Sequence, residues 1–226
     1  MLERFSEEEM RQNVQWCQEV GEEFPPLAKK LDPTLWIESE EFGRELRSYA
    51  MGKLDELDVR LGGSGYYELI YFLTRYIEPE HAVETGVAAG FSSQAFLKAM
   101  EINGKGRLYS SDFPYFRLRN PEQYIGLLVE DALKERWELY LQGDRVALPR
   151  IAHKIPEINI FHYDSDKSYS SRSFALSVLS GALHEGSIIV MDDIHDNPFF
   201  KDYVKAQNRP WRVISFQGKF AGLIGL

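Results

Sequence analysis

Cysteine, basic runs and long apolar runs are what this 226-residue sequence has least of. A single cysteine, Cys17, excludes an internal disulfide and a zinc site built from several cysteines. No stretch approaches the roughly 20 apolar residues that a membrane-spanning helix needs. The first residues, MLERFSEEEM, contain neither a basic nor an apolar segment, so we expect no signal peptide. These absences predict a cytoplasmic protein that has no membrane partner.

Positive charge is also scarce, because 26 Lys and Arg residues stand against 35 Asp and Glu residues, a net charge of −9. An acidic surface repels phosphate backbones, so we expect no general binding to nucleic acid. Hydrophobic residues make up 44% of the chain and aromatic residues 13%, which is enough for a substantial core. A largely disordered chain is therefore excluded, and the length suits one globular domain.

Residues 1–60 have the pattern of amphipathic helices. Ser6 and Glu9 form a capping box, and Phe24-Pro25-Pro26 ends the helix that follows. A second helix is predicted from Thr34 to Leu57, and its expected buried stripe is Leu35, Phe42, Leu46 and Tyr49. We interpret this region as an N-terminal helical extension that packs on the domain or forms the contact of a homodimer. A lid over an active site is the alternative.

Residues 61–226 alternate between apolar strands and amphipathic helices. Strands are predicted at residues 81–85, 107–111, 137–141, 158–163 and 187–191, with helices between them, one of which is predicted over Pro121–Arg136. At the end, Trp211–Phe216 and Phe220–Leu226 are separated by three residues, which fits an antiparallel hairpin. The sequence therefore predicts an α/β fold with a doubly wound, mostly parallel seven-stranded sheet and a C-terminal hairpin.

A glycine turn follows the first of these strands. Gly86 and Gly90 have the spacing G-x-x-x-G, which differs from the G-x-G-x-x-G of dinucleotide-binding turns. Asp112 ends the next strand, where a carboxylate can accept hydrogen bonds from both hydroxyls of a ribose, and Gly143-Asp144 follows the third strand. Ligands of open α/β sheets bind at these carboxyl ends. A nucleoside site is therefore favoured over the alternative that Asp112 only caps a turn.

These pieces resemble class I S-adenosylmethionine-dependent methyltransferases, and the resemblance covers about residues 62–226. It implies that the turn from Gly86 to Gly90, with Ser92, faces the methionine part of the cofactor. By the same likeness Asp112 holds the ribose, Glu84 lies near the amino end, and Gly143, Asp144 and Arg145 border the adenine. The cofactor has no pyrophosphate, which fits a turn without the middle glycine.

Acidic residues follow the last two parallel strands. Asp164 and Asp166 come after the strand at residues 158–163, and Asp192 and Asp193 come after the strand at 187–191. Neighbouring strand ends bring these like charges together, which is unfavourable unless a cation or proton lies between them. Hard divalent cations such as Mg²⁺ take oxygen ligands of this kind. A capping role for the Asp pair is the alternative.

The pattern of Asp164 and Lys167, followed by Asp192-Asp193, resembles the metal-dependent small-molecule O-methyltransferases. The resemblance implies that Asp164, Asp192 and Asp193 bind a divalent cation such as Mg²⁺ and that Lys167 is the catalytic base. The segment His162–Tyr169 also resembles an uncharacterised bacterial methyltransferase group in which a histidine stands at the position of Lys167. His195 is the alternative base, and Tyr115, Phe116, Arg117 and Arg119 line an acceptor pocket or an interface.

The sequence predicts an S-adenosylmethionine-dependent methyltransferase that carries out metal-assisted O-methylation of a small hydroxylated acceptor, a sugar or a natural-product intermediate. One alternative keeps the cofactor and dispenses with the metal. Another is a non-catalytic nucleotide-binding or regulatory protein on the same fold. A nicotinamide-dependent reductase is less favoured because the middle glycine is missing.

Overall fold

The computed structural model describes residues 5–59, 61, 65–115 and 118–226. Helix α1 (Glu7–Val20) begins at the predicted capping box of Ser6 and Glu9. Strand β1 (Gly21–Glu23), helix α2 (Phe24–Leu31) and helix α3 (Pro33–Asp55) follow. Pro25 and Pro26 lie in the first turn of α2, where a proline lacks no needed hydrogen bond, so they begin a helix rather than end α1.

The remaining elements alternate largely as predicted. They are α4 (Tyr67–Ile77), β2 (His81–Thr85), α5 (Phe91–Asn103), β3 (Arg107–Ser111), β4 (Trp137–Tyr140), α6 (Asp144–Lys154), β5 (Ile158–Tyr163), α7 (Tyr169–Leu179), β6 (Leu183–Met191), α8 (Phe199–Lys205), β7 (Trp211–Phe216) and β8 (Lys219–Ile224). Short 3₁₀ turns cover Pro121–Tyr124, Asp131–Arg136 and Ile194–Asp196. Among the described residues, none of the helices has both the length and the apolar character that spanning a membrane requires.

The described chain forms one eight-stranded sheet in the order β1-β7-β8-β6-β5-β2-β3-β4. Strand β8 runs antiparallel to both of its neighbours, and the other pairs are parallel. The predicted fold class is confirmed, with one strand more than the seven predicted. The extra strand is β1, whose sequence Gly-Glu-Glu has no apolar pattern and which pairs through its backbone with β7.

Helices cover both faces of the sheet and form two apolar layers with it. Alternate residues of a strand point to opposite faces, so on β2 Ala82 packs under α3, α4 and α5 while Val83 packs on the side of α6, α7 and α8. The expected stripe of α3 is buried at Leu35, Phe42 and Leu46, whereas Tyr49 is 38% exposed.

The helix predicted over Pro121–Arg136 is wrong. The segment is two 3₁₀ turns joined by Gly126, whose φ of +68° breaks a helical path. The backbone N–H groups of Gly126 and Leu128 instead donate to the carbonyl oxygens of Ala88 and Ala89, each at 2.9 Å. These tertiary hydrogen bonds fasten the segment to the glycine turn, and they outweigh the local helical pattern.

The N-terminal region is tied to the sheet by β1 and by a buried amide. The Asn13 side chain is 1% exposed, and its Nδ2 donates to the carbonyl oxygens of Ile194 at 3.0 Å and Asn197 at 2.9 Å. Helix α1 thereby supports the loop that follows β6. The division of the chain at residue 60 stays a prediction.

Candidate active site

The parallel strands bring the predicted site residues to one edge of the sheet. Strands β2, β3, β4, β5 and β6 run in the same direction, so their carboxyl ends share that edge. The glycine turn follows β2, Asp112 follows β3, and the acidic residues follow β5 and β6. This edge is where ligands bind in open α/β sheets.

The glycines of the turn are required by the segments that pack against it. Gly86 has a φ of +80°, and a Cβ atom there would lie 2.3 Å from the backbone oxygen of Asp164. Gly90 has a φ of +98°, and its Cβ would lie 2.8 Å from the Cα of Gly126. The backbone of Asp164 thus occupies the space that a side chain at position 86 would need. The glycine turn and the loop after β5 are therefore in direct contact.

Asp112 holds the turn through its carboxylate. Its Oδ2 accepts hydrogen bonds from the backbone N–H groups of Val87 at 2.9 Å and Ala88 at 2.7 Å, and its Oδ1 accepts one from Phe113 at 2.6 Å. Burial raises the pKa of Asp112 above its ordinary value even though these amides lower it. Each carboxylate oxygen offers two lone pairs, so Oδ1 retains capacity for a ligand hydroxyl.

A cavity of about 420 Å³ lies beside Asp112. Asp144 lines it, and its carboxylate accepts hydrogen bonds from the hydroxyls of Ser111 and Ser165. The Arg145 guanidinium lies 4.9 Å from the centre of the Phe174 ring. The structure thus brings together the predicted residues Asp112, Gly143, Asp144 and Arg145, and the lining also includes Phe113, Gln142, Ser165, Asp166, Ser171 and Phe174.

Glu84 and Ser92 lie beneath the turn. The Glu84 side chain is fully buried, and its carboxylate accepts hydrogen bonds from the hydroxyls of Ser92 at 2.6 Å, Ser93 at 2.6 Å and Ser110 at 2.8 Å. These bonds join β2, α5 and β3, so they stabilise the turn from below. A direct contact of Glu84 or Ser92 with a cofactor stays a prediction.

The acidic residues converge as the strand ends predict. Asp164, Asp192 and Asp193 each offer a carboxylate oxygen within 4.8 Å of the others, and all three residues are half-buried. Asp193 has a left-handed backbone with φ 50° and ψ 42°. Its Oδ1 is buried, and the Nζ of Lys219 lies 3.2 Å from it. A divalent cation fits this set of oxygen donors.

A buried arginine that was not predicted from the sequence holds the loop after β6 in place. Arg172 of α7 is fully buried, and its Nη2 donates to the carbonyl oxygens of Asp192 and Asp193, each at 3.0 Å. Burial lowers the pKa of Arg172. Arg172 has the same helical spacing as the buried residues Ala175 and Leu179. A charged residue at such a position was the signal that the sequence offered.

Lysines from two segments enter the acidic cluster. Lys167 forms an ion pair with Asp164, and its Nζ lies 3.7 Å from Asp193 Oδ2. Lys219, which was not predicted, lies with its Nζ 3.2 Å from Asp193 Oδ1. His195 instead lies 3.6 Å from Asp196 and packs against the Phe220 ring. The geometry therefore favours Lys167 over His195 as the group beside the carboxylates.

A second cavity, of about 400 Å³, opens at the same edge of the sheet on the side of α3, α4 and α5. It lies between the C-terminal half of α3 and the tip of the β7–β8 hairpin, and its lining includes Arg47, Met51, Leu54, Tyr67, Phe91 and Gln217. Of the four residues predicted to line an acceptor pocket or an interface, Phe116 and Arg117 lie outside the described residues, Arg119 is exposed and Tyr115 is half-buried.

Crowding of the carboxylates gives Asp192 an unusual titration. Burial and the nearby charge of Asp164 raise the pKa of Asp192 from 3.8 to about 6. A raised pKa means that ionisation of the folded protein is harder than ionisation of the unfolded chain. The resulting cost to folding is absent at low pH, grows from about pH 4 and is complete above about pH 6.

Asp192→Asn should therefore stabilise the metal-free protein at high pH. We expect the free energy of unfolding to rise by about 1–3 kcal/mol at pH 8 and to change little at pH 4, because the amide removes the charge that the fold opposes. Urea unfolding in a chelator, at pH 4, 6 and 8, measures this difference. Asp131→Asn, on an exposed 3₁₀ turn, is the control and should show no such increase. A destabilised Asp192→Asn protein at pH 8 would mean that the attraction of the nearby Lys167 charge dominates.

Comparison with known proteins agrees with this geometry. The arrangement is that of class I methyltransferases, whose Rossmann-like fold it shares with solved structures. Residues 83–194 match the family model described as a methyltransferase domain. The chain is therefore identified as carrying a methyltransferase domain, and the predicted resemblance to class I S-adenosylmethionine-dependent methyltransferases is confirmed. A search of curated proteins finds no match.

Three solved structures illustrate the shared fold. A methyltransferase from Geobacter sulfurreducens is 18% identical, with 85% of this chain and 88% of that chain covered and a TM-score of 0.56. An O-methyltransferase of tomaymycin synthesis from Streptomyces achromogenes, solved with S-adenosylmethionine, is 14% identical, with coverages of 79% and 86% and a TM-score of 0.59. An O-methyltransferase from Bacillus cereus, in complex with S-adenosylhomocysteine, is 15% identical, with coverages of 84% and 89% and a TM-score of 0.58.

Proposed function

We propose that the protein transfers a methyl group from S-adenosylmethionine to a hydroxyl of a small acceptor, with a divalent cation held by Asp164, Asp192 and Asp193. The observation that carries the proposal is the position of these carboxylates at the sheet edge that also bears the glycine turn and Asp112. The contact between Gly86 and the backbone of Asp164 keeps the two groups adjacent. The methyl donor and the acceptor would then bind at the same edge of the sheet.

The adenosine part of the cofactor fits the cavity beside Asp112. The carboxylate of Asp112 can accept a hydrogen bond from a ribose hydroxyl through Oδ1, and such charge-assisted bonds are among the stronger ones in proteins. Gly143, Asp144 and Arg145 border the rest of the cavity, where the adenine would lie. The methionine part would extend along the turn from Gly86 to Gly90.

The carboxylates fit a hard cation such as Mg²⁺, because each of the three offers an oxygen that lies within 4.8 Å of the others. When bound, the cation would lower the pKa of an acceptor hydroxyl. Arg172 fixes the carbonyls of Asp192 and Asp193, which keeps both side chains directed to the same point.

Lys167 is the candidate for removing the acceptor proton. Its Nζ lies in the cluster, whereas His195 pairs with Asp196. Lys167 forms ion pairs with Asp164 and Asp193, so it can act as a base only when those carboxylates are engaged elsewhere. The ion pairs of Lys167 with Asp164 and Asp193 must therefore break before Lys167 can accept the proton.

The acceptor would enter by the cavity between α3 and the hairpin tip. Tyr66, adjacent to that cavity's Tyr67, stacks on Phe216 with ring centroids 3.9 Å apart, and this contact joins α4 to the hairpin. The walls combine apolar side chains with Arg47, Asp55 and Gln217, which suits an acceptor that has both a carbon skeleton and polar groups. A sugar or a natural-product intermediate is of this kind.

The test is methyl transfer from labelled S-adenosylmethionine across a panel of hydroxylated acceptors, preceded by calorimetric titration with S-adenosylhomocysteine with and without Mg²⁺. We expect saturable binding, and transfer that is lost after chelation and restored by Mg²⁺. Transfer that survives chelation would remove the cation from the proposal and leave the methyltransferase. Binding without transfer to any acceptor would instead favour the non-catalytic nucleotide-binding protein.

A further inference from the structure

Lys219 is delivered to the acidic cluster by the backbone of the terminal hairpin. Its Nζ lies 3.2 Å from Oδ1 and 3.5 Å from Oδ2 of Asp193. Gln217 and Gly218 form the turn before it, and both have positive φ values, 49° and 79°, as in the tight two-residue turns of hairpins. Strand β8 then pairs with β6, with Gly222 opposite Met191, just before Asp192. The position of Lys219 is thus set by strand pairing.

The two lysines of the cluster differ in how firmly they are held. The Lys167 side chain is 24% exposed, contacts both Asp164 and Asp193, and has its backbone carbonyl bound by the Asn197 side chain. The Lys219 side chain is 55% exposed and its ion pair is with Asp193. Its flexible aliphatic chain can carry the ammonium group out to water at little cost.

A divalent cation and the Lys219 ammonium would compete for the same carboxylate. Asp193 is 16% exposed on its side chain, so the repulsion between two nearby positive charges is less screened there than in bulk water. The cation could bind closely only after Lys219 has moved away from Asp193. Because Asp193 is largely buried, the ammonium group of Lys219 lowers the affinity of the site for a cation.

We propose that Lys219 is a tethered counter-ion of the cation site, occupying Asp193 when no divalent cation is bound and weakening the affinity of the site for one. The inference rests on the proposed function, because it takes Asp164, Asp192 and Asp193 as ligands. It assigns Lys219 a role outside the chemistry of methyl transfer, as the residue that sets the cation concentration at which the site fills.

Mn²⁺ binding to the full-length protein, measured from the electron paramagnetic resonance signal of free Mn²⁺ at low salt, tests the proposal. Lys219→Met should bind Mn²⁺ roughly five- to tenfold more tightly than the unmodified protein. Lys219→Arg, which keeps the charge, should retain the original affinity. Lys205→Met, which removes a charge from the exposed surface of α8, should also leave the affinity unchanged. The gain of Lys219→Met should shrink at 1 M salt, because salt screens exposed charges.

Equal affinities for the unmodified protein and Lys219→Met would overturn the counter-ion role while leaving the cation site intact. The same holds if Lys205→Met gains as much, since the effect would then be one of net charge. Absence of Mn²⁺ binding in every variant would overturn both the inference and the cation in the proposed function. Melting temperatures and S-adenosylhomocysteine binding, measured on each variant, report folding and the cofactor site separately.

Discussion

Replacing Asp112 by alanine should lower the affinity for S-adenosylhomocysteine by about 100-fold or more. The substitution removes the charge-assisted hydrogen bond expected with the ribose, which contributes on the order of 1.5–3 kcal/mol. It also leaves the N–H groups of Val87 and Ala88 without their carboxylate partner, which loosens the turn that the methionine part would contact. Calorimetric titration at pH 7.5 measures the change.

Two variants separate the ribose contact from the support of the turn. Asp112→Asn retains an oxygen that can accept from the amides but loses the charge, so it should fall between the unmodified protein and the alanine variant. Asp131→Ala removes an exposed carboxylate and should bind normally. A folded Asp112→Ala protein with unchanged affinity would show that the cofactor does not use this cavity.

Gly86→Ala should lower the free energy of unfolding by about 3 kcal/mol or more. A Cβ atom at a φ of +80° costs on the order of 1–2 kcal/mol, and overpacking against the Asp164 backbone oxygen, 2.3 Å away, adds about 1–3 kcal/mol. Because that oxygen belongs to Asp164, one of the proposed cation ligands, the variant should also bind Mn²⁺ more weakly. Urea unfolding gives the first quantity and paramagnetic titration the second.

Other glycines of the chain separate the cost of a positive φ from the cost of overpacking against Asp164. Gly104 has a φ of +71° and no described atom within 4 Å of its Cβ position, so Gly104→Ala should show the conformational cost alone. Gly52 lies in α3, and no described atom lies within 4 Å of its Cβ position. Gly52→Ala should therefore stabilise the protein by up to about 1 kcal/mol. If Gly86→Ala is no worse than Gly104→Ala, the contact with Asp164 is not tight.

Sequence patterns predicted what depends on local periodicity and on strand direction. Apolar strands and the residues that follow them identified Asp112 and the acidic cluster, because parallel strands end at a common edge. Features created by contacts between distant segments were not accessible. Arg172 donates hydrogen bonds to carbonyls 20 and 21 residues away, and Lys219 reaches Asp193 through hairpin register.

The same distinction explains the helix that was wrongly predicted. Residues 121–136 have a local pattern compatible with a helix, yet Gly126 and Leu128 make their hydrogen bonds to the glycine turn. Likewise, β1 has three residues and no apolar alternation, so its strand exists through pairing with β7. In both cases the partner decides the conformation.

The pairing of β1 with β7 depends on segments that are far apart in the sequence. The hydroxyl of Ser215 donates to the carbonyl of Glu22 across 193 residues, and β7, which carries Ser215, is itself joined to the rest of the sheet through β8 near the chain end. On the ribosome, β1 emerges long before β7, so it has no partner until β7 and β8 have been made. Closure of this edge is therefore expected to be a late and slow event of folding, because it joins segments that are 193 residues apart in sequence.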